Sequence, residues 1–250
     1  MKDYFKARIA PNIGIIVLAA VIVFSMSACG DDDENGGSGG GSALGATLNL
    51  SGKVFTGDWN ETGVTYNEFT GNRTISASYL DENDRDIAIG GTGAITNGQL
   101  SFSIGTPSSL QNISGFFGSD FNNLRISNTA ARVADLNLRV PNGSRVYRGN
   151  ESTTLTRWES EEVLYMYVDR DVTVSADRKE NTGTEDGFTW TETFNAFTIN
   201  LKEGWNALHS RRVAVETDTS ETFTMTISTG NPANLRWILN EWGGDDNGGE

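Results

Sequence analysis

Cysteine occurs once in this chain of 250 residues, histidine once and proline four times. A single thiol excludes a disulfide framework within the chain. One histidine excludes a zinc site of ordinary Cys/His composition and confines any Ser-His-Asp arrangement to His209. Basic residues are scarce: 19 Lys and Arg stand against 33 Asp and Glu, a formal charge of −14. Lys2, Asp3, Lys6 and Arg8 belong to the first ten residues, so the remainder carries 16 basic and 32 acidic residues. Such a chain has no basic face with which to displace counterions, which excludes nucleic acid as a partner. The same surplus opposes charge-driven adhesion to anionic lipid headgroups, and its ordinary role is solubility. Amphipathic helices are missing too, since no long stretch keeps a 3.6-residue apolar period.

What is present begins with a basic N-terminus followed by an unbroken apolar run, IGIIVLAAVIVF, at residues 13–24. Small residues follow, ending in Met26-Ser27-Ala28-Cys29. A basic start, a short apolar core and small residues before a cut make a secretory signal, and the run is shorter than the ~20 residues of a spanning helix. Met26 to Cys29 resembles the lipobox of bacterial lipoproteins, with Met in place of the commoner Leu. The resemblance implies cleavage before Cys29, with diacylglycerol on its sulfur and usually an acyl chain on its amine. Several buried acyl chains anchor stably where one is marginal. Residues 1–28 are therefore expected to be the signal peptide, and 29–44 a lipidated cysteine with its tether. Asp31-Asp32-Asp33-Glu34 resembles the acidic stretch of surface-exported Bacteroidetes lipoproteins, and is equally the start of a solvated tether. NGGSGGGS at 35–42 is a flexible linker.

From residue 45 to 243 the pattern is that of an all-β protein. Expected strands include Ala46–Phe55, Thr74–Leu80, Leu100–Ile104, Ala134–Val140, Glu161–Val168, Val172–Ala176, Phe188–Leu201, Ala207–Val215, a strand holding Phe223, Met225 and Ile227, and Leu235–Leu239. Thr96-Asn97-Gly98-Gln99 reads as a two-residue hairpin turn. Residues 106–131 read as turns, Asn128–Val133 as one helical turn, Asn181–Gly187 as a loop, and 244–250 as a disordered tail. The expected fold is an antiparallel β-sandwich, either one large domain or two packed small ones divided near 106–134. Residues 47–105 resemble transthyretin-like, carboxypeptidase-regulatory β-sandwiches through the GKVF opening and the late N-G-Q-L-S-F hairpin. Residues 163–239, with VDRDVTVSA, FTINLKEGWNAL and FTMTISTGNPANLRWIL, resemble uncharacterised envelope lipoproteins of spirochaetes and Bacteroidetes. TISASYLDEN (74–83) and TVSADRKEN (173–181) also resemble each other, as two similar hairpins or a duplicated unit would.

No nucleophile or metal set emerges, so no cofactor is expected and the chain reads as a non-enzyme. Asp81, Glu82, Asp84 and Asp86 crowd one loop, and Asp169 and Asp171 another. Without the spacing of a helix–loop–helix calcium site, they read chiefly as solvated turns, with calcium at Asp81, Asp84 and Asp86 left open. His209 has no G-x-S-x-G partner and reads as a surface residue. Trp190, Trp205 and Trp237 read as core. Trp59 and Tyr66, in a polar stretch with Phe69 ahead of the second strand, are the candidate ligand contacts. The expectation is a lipoprotein held on the outer membrane by its lipid, facing outward if the acidic stretch acts as its resemblance implies, with a binding or structural role towards an envelope or host protein. The alternative is a carbohydrate-binding module tethered near an outer-membrane uptake system.

Overall fold

A computed structural model describes residues 43–60, 63–81, 85–117, 121–141, 143–185 and 187–240. Their elements in chain order are β1 (Ala43–Gly45), β2 (Leu48–Asn60), β3 (Gly63–Glu68), β4 (Arg73–Leu80), β5 (Asp86–Ala88), β6 (Thr92–Thr96), β7 (Gln99–Ile104), β8 (Gln111–Asn112), α1 (Ile113–Phe117), β9 (Asn122–Ile126), β10 (Arg132–Asp135), β11 (Asn137–Arg139), β12 (Arg145–Thr153), β13 (Arg157–Val168), β14 (Val172–Asp177), β15 (Lys179–Glu185), β16 (Phe188–Phe194), β17 (Phe197–Leu201), β18 (Gly204–Glu216), β19 (Ser220–Thr229) and β20 (Arg236–Asn240). The protein is all-β.

Instead of two open sheets, seven strands close on themselves in the order β2-β7-β6-β4-β11-β12-β20 and back to β2. The closing pair, β2 with β20, is parallel, and so is β16 with β19, whereas an antiparallel fold was expected. Closure removes sheet edges, and alternation along each strand then fills the interior. Leu48 and Leu50 of β2, Leu100 and Phe102 of β7, and Trp237 and Leu239 of β20 all turn inward. Gly52 makes room for one of them: a Cβ there would lie 2.6 Å from the Trp237 ring. The hairpin turn forms where expected, with Thr96 opposite Gln99 and positive φ at Asn97 (48°) and Gly98 (73°).

Strands β13 and β18 extend the wall sideways and are buried on both faces over Glu162–Val168 and Gly204–Leu208, which is why VLYMYV reads as a continuous apolar run. Val163, Tyr165 and Tyr167 complete the barrel-side core, while Leu164, Met166 and Val168 face a second one. That second core is roofed by α1 and a separate sheet of β9, β14 and β17. Asp169–Asp171, read as a solvated turn, carries the chain from one sheet to the other. The two similar segments accordingly take different roles, β4 in the barrel and β14 in the roof, so their likeness is local.

Other departures are equally specific. The helical turn sits at Ile113–Phe117, within the stretch read as turns, where Ile113 and Phe117 bury one face. Asn128 begins only a turn, accepting from Ala131 N at 3.1 Å, and β10 follows. Asn181–Gly187 is not a loop up to residue 185 but strand β15, hairpinned to β16 with Glu185 opposite Phe188. β18 starts at Gly204, ahead of the expected Ala207.

Candidate functional site

Trp59 and Tyr66 do not lie in a loop before the second strand. They occupy the β2–β3 hairpin, where Trp59 stands opposite Val64 and Gly57 opposite Tyr66. Trp59 is 43 % exposed. Its ring lies along the sheet over Gly57: a Cβ at that glycine would meet the indole at 2.7 Å. Glycine two residues before the tryptophan thus provides a bed for one ring face and leaves the other open.

Glu151 of β12 fixes this platform. The Trp59 Nε1–H donates to Glu151 Oε2 at 2.9 Å, and the Tyr147 hydroxyl donates to Oε1 at 2.9 Å. Tyr66 Oη accepts from the Glu151 N–H at 2.5 Å and donates to its carbonyl at 3.1 Å. Arg236 stacks on the Tyr66 ring at 4.9 Å and donates to Asn150 Oδ1 at 2.7 Å, while Arg145 stacks on Tyr147 at 4.8 Å. Burial raises the phenol pKa of Tyr66 and lifts that of Tyr147 well up, so both remain hydrogen-bond donors at neutral pH.

Aromatic side chains continue across the same face. Glu151 is opposite Ser160 and Thr153 opposite Trp158; Trp158 faces Ala214, Ala214 faces Phe223, and Phe223 faces Glu192. Trp158 and Phe223 are half-buried. Two residues from Glu192 stands Trp190, expected in the core but 40 % exposed. Its ring lies over Gly183, its cross-strand partner, where a Cβ would be 2.4 Å away. From β12 to β16 this is four strand spacings, about 19 Å. Glu151, Tyr147 and Arg236 escape a sequence reading because pairing of distant strands assembles them. The G-D-W spacing of Gly57 and Trp59, and the cross-strand Gly183 with Trp190, are the available cues, since aromatics cover glycines on sheets.

The remaining candidates are placed as follows. Cys29, Glu82 and Asp84 lie outside the described residues. Asp81 accepts from Arg85 Nε at 2.8 Å, and Asp86 from Ser78 Oγ at 2.8 Å. Asp171 pairs with Lys202 at 2.7 Å and Asp169 with Arg170 at 2.9 Å, and these contacts hold both carboxyls below the usual range. No group of three or more His, Cys, Asp or Glu suited to a metal occurs among the described residues. His209 is not a surface residue at a strand end. It lies within β18, half-buried, with Nε2 3.5 Å from Glu161 Oε1, and burial lowers its pKa. Trp205 and Trp237 are core, as expected, with Trp205 Nε1 donating to Gly105 O at 2.9 Å.

No protein-family model, curated protein or solved structure matches the chain.

Proposed function

We propose that this chain is a lipid-anchored, non-enzymatic binding protein of the cell envelope that holds polysaccharide against the outer face of its barrel. The observation that carries the reading is the Trp59 indole, laid flat on Gly57, pinned through its N–H by Glu151 and open on its outer face. A rigid aromatic face costs little ordering on binding, and the apolar face of a sugar ring stacks on it while its hydroxyls reach Glu151 and Arg236. Trp158, Phe223 and Trp190 extend the surface for a chain of sugars. Among the described residues β15 pairs on one side only, with β16, and this edge favours a protein partner less, because its KENTGTE sequence has no apolar side chain to specify a docked strand. The part of the molecule around the second core, where two sheets face each other, is the half we read as sandwich-like.

Affinity electrophoresis of the detergent-solubilised full chain through polysaccharide-containing gels tests the ligand. Retardation by at least one neutral polysaccharide is expected, and Trp59→Ala should weaken it about ten-fold, roughly 1.4 kcal/mol. No retardation by any polysaccharide would end the sugar reading. The anchor rests on Met26–Cys29 and has its own test. Cys29→Ser should abolish labelling by a palmitate analogue and leave the protein outside the membrane fraction; unchanged labelling would refute lipidation.

A further inference from the structure

Strand β15 pairs with β16 along its whole length, and among the described residues no strand pairs with its other side. Its backbone meets that side in a definite pattern. Across an antiparallel pair, residues that exchange hydrogen bonds with their partner alternate with residues whose N–H and C=O point away from it. Thr189 of β16 donates its N–H to Thr219 O at 2.9 Å, on the side of β16 away from β15. Asn195, just past the end of β16, donates in the same direction to Met225 O at 2.9 Å. Thr189, Thr191 and Thr193 therefore turn their amides away from β15. Their partners Thr184, Thr182 and Glu180 turn theirs away from β16, towards the side where no strand lies. All three are exposed.

Such an edge accepts a further strand, and the sequence selects which one. KENTGTE offers a foreign strand no apolar side chain, but it is complementary to itself. Laid antiparallel on a second copy with Thr182 facing Thr182, it sets Lys179 opposite Glu185 at one end and Glu185 opposite Lys179 at the other. The Thr182 pair and the two Glu180–Thr184 pairs would exchange about six backbone hydrogen bonds. The two ionic pairs fall at the intervening positions, where side chains approach most closely. Glu180 meets only Thr184 across the two-fold axis, and Arg178 of its own copy balances its charge. The neighbouring registers that keep the hydrogen bonds set Lys179 against Gly183, or Glu185 against Asn181, and make no ion pair.

We propose that two copies of this chain join edge to edge through β15, in a two-fold pair centred on Thr182. The main sheet then runs on from one copy into the other, with both Trp190 rings on one face and three strand spacings apart, about 14 Å. The pairing needs no glycan, so it can fail while the Trp59 platform stands. Full-length Thr182→Cys protein in a neutral detergent would be oxidised with copper phenanthroline, and the dimer measured by non-reducing electrophoresis. Wild type treated alike sets the background from Cys29. Thr182→Cys should cross-link about ten-fold or more above Thr184→Cys, whose two sulfurs would lie four residues apart along the paired strands, beyond disulfide reach. Charge gives a second measurement. Adding Glu185→Lys to Thr182→Cys sets like charges opposite each other and should lower cross-linking about ten-fold, and adding Lys179→Glu as well should restore it. No dimer above the wild-type background, equal cross-linking from Thr182→Cys and Thr184→Cys, or a charge reversal without effect would each overturn the proposal.

Discussion

Asp135 shows how far alternation alone carries a reading. In A-D-L-N-L-R-V the apolar residues Ala134, Leu136 and Leu138 do face the core, and Asp135, Asn137 and Arg139 face away from it. Away from the core is not towards water here. β10, β11, β12 and β13 meet at this point, and Asp135 is only 3 % exposed. Asn137 Nδ2 donates to its Oδ2 at 2.7 Å, while Oδ1 has no partner. Burial, opposed in part by that bond, pushes the carboxyl pKa up to about 7. The folded state therefore holds a proton there that the unfolded chain releases near pH 4, and this contribution to stability falls as pH rises from about 4 to about 7. Glu162, raised by burial, acts in the same sense, whereas His209, lowered by burial, adds stability as pH rises through its ordinary range. Asp135→Asn isolates the first effect. Urea denaturation at pH 5 and pH 8 should show wild type losing on the order of 2–3 kcal/mol more than the variant across that interval. Parallel losses would mean that Asp135 is ionised in the folded protein. The candidate platform was legible to a similar depth: polar surroundings single out Trp59, but nothing local points to Glu151 or Arg236.

At the scale of elements, strands with a buried face were legible and those without one were not. Leu100, Phe102 and Ile104 alternate with polar residues and bury as expected. β15 has no apolar side chain; backbone pairing holds it, along with hydroxyl pairs such as Thr182 with Thr191 at 3.3 Å. β3 was missed for a related reason, since Val64 and Tyr66 are only half-buried. Turns with special backbone needs were legible because chemistry leaves few solutions. Gly98 has φ of 73°, and a Cβ there would come within 1.8 Å of the Phe69 carbonyl oxygen, which is backbone and cannot swing aside. The same turn donates Gly98 N–H to Gly71 O at 3.0 Å and accepts from Val54 N at 2.9 Å, tying three segments together. Gly98→Ala should therefore lower the urea midpoint by the equivalent of about 2–4 kcal/mol, with Asn97→Gly close to neutral. If Gly98→Ala is as stable as wild type, the turn is not in the conformation described.

For the whole molecule, the expectation of one large unit or two packed small ones turns on how the cores are joined. Topology was the least legible level, because closure needs residues 54–56 to pair with 237–239, and no local pattern specifies a partner so distant. Once formed, the arrangement couples the two cores through shared strands. Leu164 and Tyr165 are sequence neighbours on β13, the first against the roof and the second within the barrel-side core, and β18 repeats this with Leu208 and Ala207. A strand cannot leave one core and stay in the other, so neither core should melt alone. Leu164→Ala opens a cavity in the second core and should destabilise by about 2–5 kcal/mol. The loss should appear equally in far-ultraviolet circular dichroism and in the fluorescence of tryptophans such as Trp205 and Trp237, which lie in the other core. Coincident transitions, shifted together, are the expected outcome. A circular dichroism transition that moves while tryptophan fluorescence holds its wild-type midpoint would show that the roof and its core unfold as an independent unit.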